Sequence, residues 1–396
     1  MVAMRSHQTY LPFLFSLSLS VSLTAPSVAS PSETTVIQAE LDAMVEDEAA
    51  IGVVGVVQRG DETIFSGVAG DLERGGAVMK VDSIFRIFSM SKPVTAVAAL
   101  TLLDEGKFGL DDPLVDYLPE FAATRVTDPA DRSKTVPLDR PLLVRDLFQH
   151  TAGWNYEVPW RARAKKNGVD DPDLAAMVTA VAALPLQFQP GSRWEYGISN
   201  DLLGAFIEVV AEQSLDAVMN ERIFAPLGMI DTGFFVDEQK LDRLATLHVN
   251  GGDGLVPAIG PFVGDPTRKP ALLEGGAGLY STAGDYLRFM RMLANGGAFD
   301  GNRVLKEETV ALMMTDQLGD IPRSGTLTGR DWGLGIAITV ADGDVGTPGS
   351  WTWGGAAGTS FWIDPATDTR AIFLVQNWFD FVPAFRFAAA LDRAPH

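Results

Sequence analysis

The clearest pattern in the chain is an apolar run, Ile51 to Gln58, followed after a turn signal at Arg59-Gly60-Asp61 by a second β-rich run, Thr63 to Val68. Two such runs around a tight turn predict a hairpin. Ahead of it, Ser32 to Ala50 has the spacing of an amphipathic helix opened by Pro31-Ser32-Glu33. Ser83 to Phe88 is a short apolar stretch. Pro93 to Glu105 carries Val94, Val97, Leu100, Leu102 and Leu103 on nearly all faces, which predicts a buried helix.

The middle of the chain reads differently. Leu142 to Gln149, Asp173 to Ala183, Asp201 to Glu212 and Leu215 to Ile223 predict helices joined by loops rich in Pro, Gly and Asp. Val236 to Glu274 has little periodicity and reads as a long irregular excursion. Ala283 to Asn295 is a helix stopped by Gly296-Gly297. Strand patterns then return at Asp331 to Val340, Ser350 to Gly354, Thr359 to Asp364 and Thr369 to Gln376, and Phe381 to Arg393 closes as a helix. Strands at both ends and helices between them predict an α/β (α+β) protein. Residues 30–115 and 325–396 would build a sheet subdomain around an inserted helical one, 116–324.

The N-terminus reads as an export signal over residues 1–29. It has a positive charge at Arg5, an apolar run from Leu11 to Ala25, and a small-x-small site at Ser27-Val28-Ala29. The run is too short to span a bilayer comfortably, so the expectation is a periplasmic or extracellular protein without a stable membrane anchor.

Asp and Glu outnumber Lys and Arg by 51 to 31, for a formal charge of −20, so a phosphate backbone would be repelled by most of the surface and nucleic-acid binding is not expected. The chain has no cysteine, which removes disulfides, thiolate catalysis and Cys–zinc sites. The four histidines (His7, His150, His248, His396) show no metal-ligand spacing. No metal and no cofactor is expected.

The absence of Gly-x-Ser-x-Gly excludes the nucleophile elbow of α/β-hydrolases. A catalytic serine would then need a base other than a histidine, and Ser89-Met90-Ser91-Lys92, the one Ser-x-x-Lys in the chain, supplies one. At i and i+3 the two side chains share a helix face, and a buried lysine disfavours its charged form. By pattern alone the tetrad is equally a helix start with a capping serine and a snorkelling lysine. Tyr196, in Trp194-Glu195-Tyr196-Gly197-Ile198-Ser199-Asn200-Asp201, could serve as acid or base, or be a core aromatic. Trp353-Gly354-Gly355-Ala356 could bring a backbone N–H up to an oxyanion, or be a glycine-rich turn.

The three elements in this order resemble the serine β-lactamase and penicillin-binding-protein superfamily, within it the class C-like serine hydrolases, and particularly the family VIII carboxylesterases. The run from Phe85 to Ala96, Asp146-Leu-Phe-Gln-His-Thr-Ala-Gly153 and Gly278 to Phe289 carry the same likeness, over about residues 35–390. The resemblance implies a β-lactamase/transpeptidase-like fold, with an antiparallel sheet flanked by helices. It implies Ser89 as nucleophile, Lys92 and Tyr196 as acid–base pair, and the N–H groups of Ser89 and Ala356 as oxyanion donors beside Trp353, Gly354 and Gly355.

Two departures stand out. Tyr-x-Asn is here Tyr-x-Ile, with Ile198 in the third place unless Asn200 reaches in. Trp353 stands where β-lactamases place a cation. Both favour neutral esters over penicillins, while slow lactam turnover stays compatible with them. Trp154, Tyr156 and Trp160, with Trp332, Trp351, Trp353 and Trp378, suggest an apolar acyl pocket, with Trp154, Tyr156 and Asn200 as candidate lining. The expected activity is a small-molecule carboxylesterase acting on short-chain esters. The rivals are a β-lactamase or D-Ala-D-Ala peptidase, an amide hydrolase or acyltransferase, and a non-catalytic cell-wall sensor. Oligomeric state is not legible in the sequence.

Overall fold

A computed structural model describes residues 32–260, 263–341 and 345–394; the expected export signal lies outside them. The hairpin forms as strands β1 (Gly52–Arg59) and β2 (Glu62–Gly70). β3 (Phe85–Arg86) pairs with β4 (Tyr280–Ser281) apart from the main sheet. β5 (Arg330–Trp332), β6 (Ala337–Thr339), β7 (Trp351–Gly354), β8 (Ser360–Asp364) and β9 (Thr369–Val375) follow. The central sheet has the order β5-β6-β7-β8-β9-β1-β2, antiparallel throughout, so the two ends of the chain meet where β1 pairs with β9.

Both faces of this sheet are covered, which explains why β1 and β9 read as near-continuous apolar runs rather than alternating ones. The odd positions Val53 and Val57 and their neighbours Phe373 and Val375 face α1 (Glu33–Glu46) and the C-terminal helix Val382–Arg393. Gly55 has no side chain because a Cβ there would stand 2.6 Å from the Phe387 ring. The even positions Val54, Val56, Ile372 and Leu374 join the larger core, built around α2 (Ser91–Asp104).

α2 is buried along its first twelve residues and tolerates Pro93 because backbone N–H groups of a first turn have no intrahelical partner. Between the sheet-forming ends lie α3 (Leu174–Ala182), capped by Asp173, α4 (Ser199–Ala211), and α5 (Ala283–Ala294), capped by Thr282. The Val236–Glu274 excursion is mostly irregular, with one short strand pair, His248–Asn250 against Leu255–Pro257.

Three sequence expectations need correction. Asp331 to Val340 is two strands, not one. The chain reverses at Gly333, whose N–H donates to the carbonyl of Ile336, and a Cβ at Gly333 would collide with the Met313 carbonyl at 1.9 Å. Leu215 to Ile223 is helical to Met219 and then continues as a wider π-type turn. Trp160–Lys166 is a helix that the charge-rich pattern had not suggested. Among the described residues, no helix is long and apolar enough to cross a membrane.

Candidate active site

The segment that carries Ser89 is set by a tight junction. Phe88 takes φ +43°, a left-handed conformation that costs a bulky residue of order 1 kcal/mol. A 3₁₀ turn, Phe88–Met90, then leads into α2. The junction leaves Ser89 partly exposed, while Lys92, one turn on, is completely buried.

Lys92 Nζ donates to Ser89 Oγ at 3.1 Å, to the Tyr156 hydroxyl at 3.0 Å and to the Gly276 carbonyl at 2.8 Å. These three acceptors use the whole donor capacity of an ammonium. Lys92 Nζ also sits 4.6 Å from the centre of the Tyr196 ring. Burial opposes its charge, but the two phenols beside it outweigh burial and hold the ammonium above the ordinary lysine range. The sequence had suggested the opposite direction, from burial alone. Burial pushes the Tyr156 hydroxyl up, against the pull of Lys92.

Tyr196 is brought to Tyr156 by Gly197. A Cβ there would lie 2.4 Å from Asn155 Cα and 2.5 Å from the Trp154 carbonyl, so only glycine lets the two segments touch. The tyrosine rings stand 5.5 Å apart, edge on. Trp353 is buried, and its indole N–H donates to the Tyr196 hydroxyl at 3.3 Å. It orients the tyrosine and belongs to an aromatic cluster with Trp332, 4.8 Å away.

The Trp-Gly-Gly segment meets the segment that leads into Ser89 at Gly355, whose missing Cβ would lie 2.2 Å from the Ile87 carbonyl. Among the described residues, the backbone N–H groups of Ser89 and Ala356 donate to no partner. They are free for a developing oxyanion. A family model described as Beta-lactamase matches residues 37–394.

The chain belongs to the β-lactamase family. Esterase EstB of Burkholderia gladioli is 30% identical over 394 residues, covering 91% of this chain and 95% of the relative. Protein Rv1367c of Mycobacterium tuberculosis is 37% identical over 326 residues, covering 76% and 79%. Among solved structures, EstCE1, titled a hydrolase with promiscuous acyltransferase activity, superposes with a TM-score of 0.77 at 25% identity, covering 91% of this chain and 98% of that one.

On this β-lactamase-family scaffold, three expected residues take other places. Trp154 is fully buried in the core against Phe121, at 5.3 Å, and is not a pocket wall. Asn200 is also fully buried. Its amide points at the Lys92 carbonyl of α2 at 3.4 Å, so it does not reach in to replace the missing Asn of Tyr-x-Asn. Tyr156 was expected only as lining, but its hydroxyl is a partner of Lys92. Half of its surface faces solvent, which lets it do both. His150 is completely buried under Tyr196, ring centres 5.0 Å apart, and burial with nearby Lys92 keeps it neutral well below the usual histidine range. Among the described residues, no group of three or more acidic or histidine side chains is placed to hold a metal.

Asp201, the last residue of the Trp194–Asp201 run, belongs to the same cluster, although the sequence assigns it no role. It accepts from the Gly276 N–H at 2.8 Å, and the carbonyl of that same residue holds Lys92. Burial, reinforced by Glu274, raises its pKa to about 6, against the opposing influence of Lys92, the Gly276 N–H and Arg161. A carboxyl that binds its proton more tightly in the folded state stabilises most below its unfolded pKa. That contribution, of order 3 kcal/mol, is lost as pH rises from about 4 to about 6. Asp201→Asn should therefore gain stability relative to the wild type between pH 4.5 and pH 7, read by urea unfolding at both pH values. A relative loss over that interval would contradict the assignment.

Proposed function

We propose that the chain is a serine ester hydrolase working through an acyl-enzyme on Ser89. The observation that carries this reading is the 3.1 Å contact between Ser89 Oγ and a fully buried Lys92 that is itself held by a phenol and a carbonyl. Such a nucleophile and base within hydrogen-bond reach, with the base oriented by third groups, is the signature of an activated serine. Ser89 Oγ attacks the ester carbonyl and gives its proton to the member of the Lys92–Tyr196 pair that is deprotonated in the reactive form of the enzyme. The unpaired N–H groups of Ser89 and Ala356 receive the oxyanion. Tyr196 returns the proton to the leaving alcohol, and water releases the acid.

Esters are favoured over lactams because the third motif presents a tryptophan and no cation, and that tryptophan is spent on Tyr196. The names of the related EstB and EstCE1 point the same way. The EstCE1 title also supports a second reading, in which an alcohol rather than water takes the acyl group. We place the enzyme outside the cytoplasm on the N-terminal pattern.

The test is a p-nitrophenyl ester chain-length series beside nitrocefin, with and without an added alcohol acceptor. Short-chain esters cleaved far faster than nitrocefin are expected. Nitrocefin outrunning every ester would overturn the ester reading.

Tyr156→Phe removes one of the three acceptors of Lys92 while keeping the ring. A hydrogen bond to a charged group contributes about 1.5–3 kcal/mol, so the variant should lose stability of that order, and kcat/KM should fall about 10- to 100-fold as Lys92 is held less firmly. An unchanged kcat/KM would confine Tyr156 to the pocket wall.

A further inference from the structure

A cavity of about 710 Å³ opens beside the nucleophile segment. Its wall includes Phe88, the residue before Ser89, and Ala277-Gly278, next to the Gly276 carbonyl that holds Lys92. Three arginines line it: Arg86, Arg161 and Arg268. Arg161 is engaged with Glu274, and Arg268 faces Asp171 at 4.0 Å. Arg86 differs. Among the described residues, its guanidinium has no carboxylate partner.

Arg86 is nonetheless fixed in place. It is the cross-strand partner of Tyr280 in the β3–β4 pair, and its guanidinium lies 4.8 Å from the centre of that ring. Both of its backbone groups are clamped by the Gln376 amide, the N–H at 3.3 Å and the carbonyl at 3.0 Å. Arg86 and Phe88 both line the cavity and Ser89 follows Phe88, so the Cα atoms of Arg86 and Ser89 lie within about 10 Å of each other. Burial lowers the pKa of Arg86, opposed only by Tyr280. A desolvated guanidinium without a counter-ion is costly, and a ligand carboxylate with its two oxygens matched to the guanidinium fork offsets that cost.

We propose that this cavity is a subsite for a carboxylate on the substrate, with Arg86 as its specificity-determining residue. The inference rests on the ester-hydrolase reading and replaces the neutral esters favoured by the sequence with esters that carry one negative charge a few carbons from the scissile carbonyl. A single charge is specified because Asp171, Asp265 and Glu274 line the same cavity and oppose a dianion such as phosphate. No bond is made or broken at Arg86; it binds and orients.

The experiment compares matched ester pairs by pH-stat titration. One pair is monoethyl glutarate against ethyl pentanoate, with the charge on the acyl side. The other is 4-(butyryloxy)benzoate against phenyl butyrate, with the charge on the leaving side. In the wild type the charged member of at least one pair should have the lower KM. Arg86→Gln should cut kcat/KM for that ester about 10- to 100-fold and leave its neutral partner unchanged, with Arg86→Lys intermediate. Equal handling of both pairs, or an equal loss on both members in Arg86→Gln, would overturn the subsite. A second arm does not need turnover: Ser89→Ala protein is titrated calorimetrically with glutarate, benzoate and inorganic phosphate. Carboxylate binding that disappears in Ser89→Ala/Arg86→Gln supports the subsite even if no ester is cleaved, which would count against the hydrolase reading alone. Phosphate binding without carboxylate binding, or carboxylate binding indifferent to Arg86, would overturn it.

Discussion

Ser89→Ala is expected to abolish ester turnover, a loss of at least about 10⁴-fold in kcat, while the protein stays folded. The magnitude follows from the unit behaviour of a nucleophile and its base: removing either forfeits the covalent route, and only binding and the oxyanion donors remain. The fold should hold because Ser89 is partly exposed and contributes one hydroxyl, and Lys92 keeps its bonds to Tyr156 and Gly276. Steady-state kinetics and a thermal melt on the same preparation separate the two effects. Activity within tenfold of the wild type would mean another nucleophile does the chemistry.

Lys92→Met is expected to cost at least about 10³-fold in kcat, since general acid–base catalysis alone is worth about 10²–10⁴-fold and Lys92 also positions the Ser89 hydroxyl. A moderate loss of stability is expected: Met has a similar unbranched shape, but the fold favours the ammonium despite its burial, and the Gly276 carbonyl and the Tyr156 hydroxyl lose a donor. Folded, inactive protein supports the catalytic reading. A protein that melts far lower yet retains its rate would show Lys92 to be a structural cation.

Much of the architecture was legible in the sequence because both ends carry strong period-2 or all-apolar signals. β1, β2, β8 and β9 fall where the pattern put them, and the antiparallel sheet joins the two ends. The break at Gly333 was not legible, because it depends on a collision with the Met313 carbonyl, distant in sequence. The helix Trp160–Lys166 was hidden by its run of arginines and lysines, which blurs an apolar face.

The site divides in the same way. Ser89 and Lys92 are neighbours on one turn, so their contact follows from spacing. Tyr156 carries no spacing signal toward Lys92, 64 positions away in sequence; its place depends on Gly197 allowing two loops to touch. The Gly276 carbonyl is backbone and leaves no mark on residue type. Trp154 looked like pocket lining because aromatics near a site motif suit either role, and only packing against Phe121 decides for the core. The direction of the Lys92 shift was misjudged for a related reason: burial can be inferred from sequence, but the two phenols that outweigh it cannot.

The most direct measurement is intact mass spectrometry of the protein quenched during turnover of a p-nitrophenyl ester, followed by peptide mapping. One acyl group per chain, located on Ser89 and absent from Ser89→Ala, is the predicted result. Turnover with no adduct at Ser89, or with the acyl group on another residue, would contradict the acyl-enzyme mechanism.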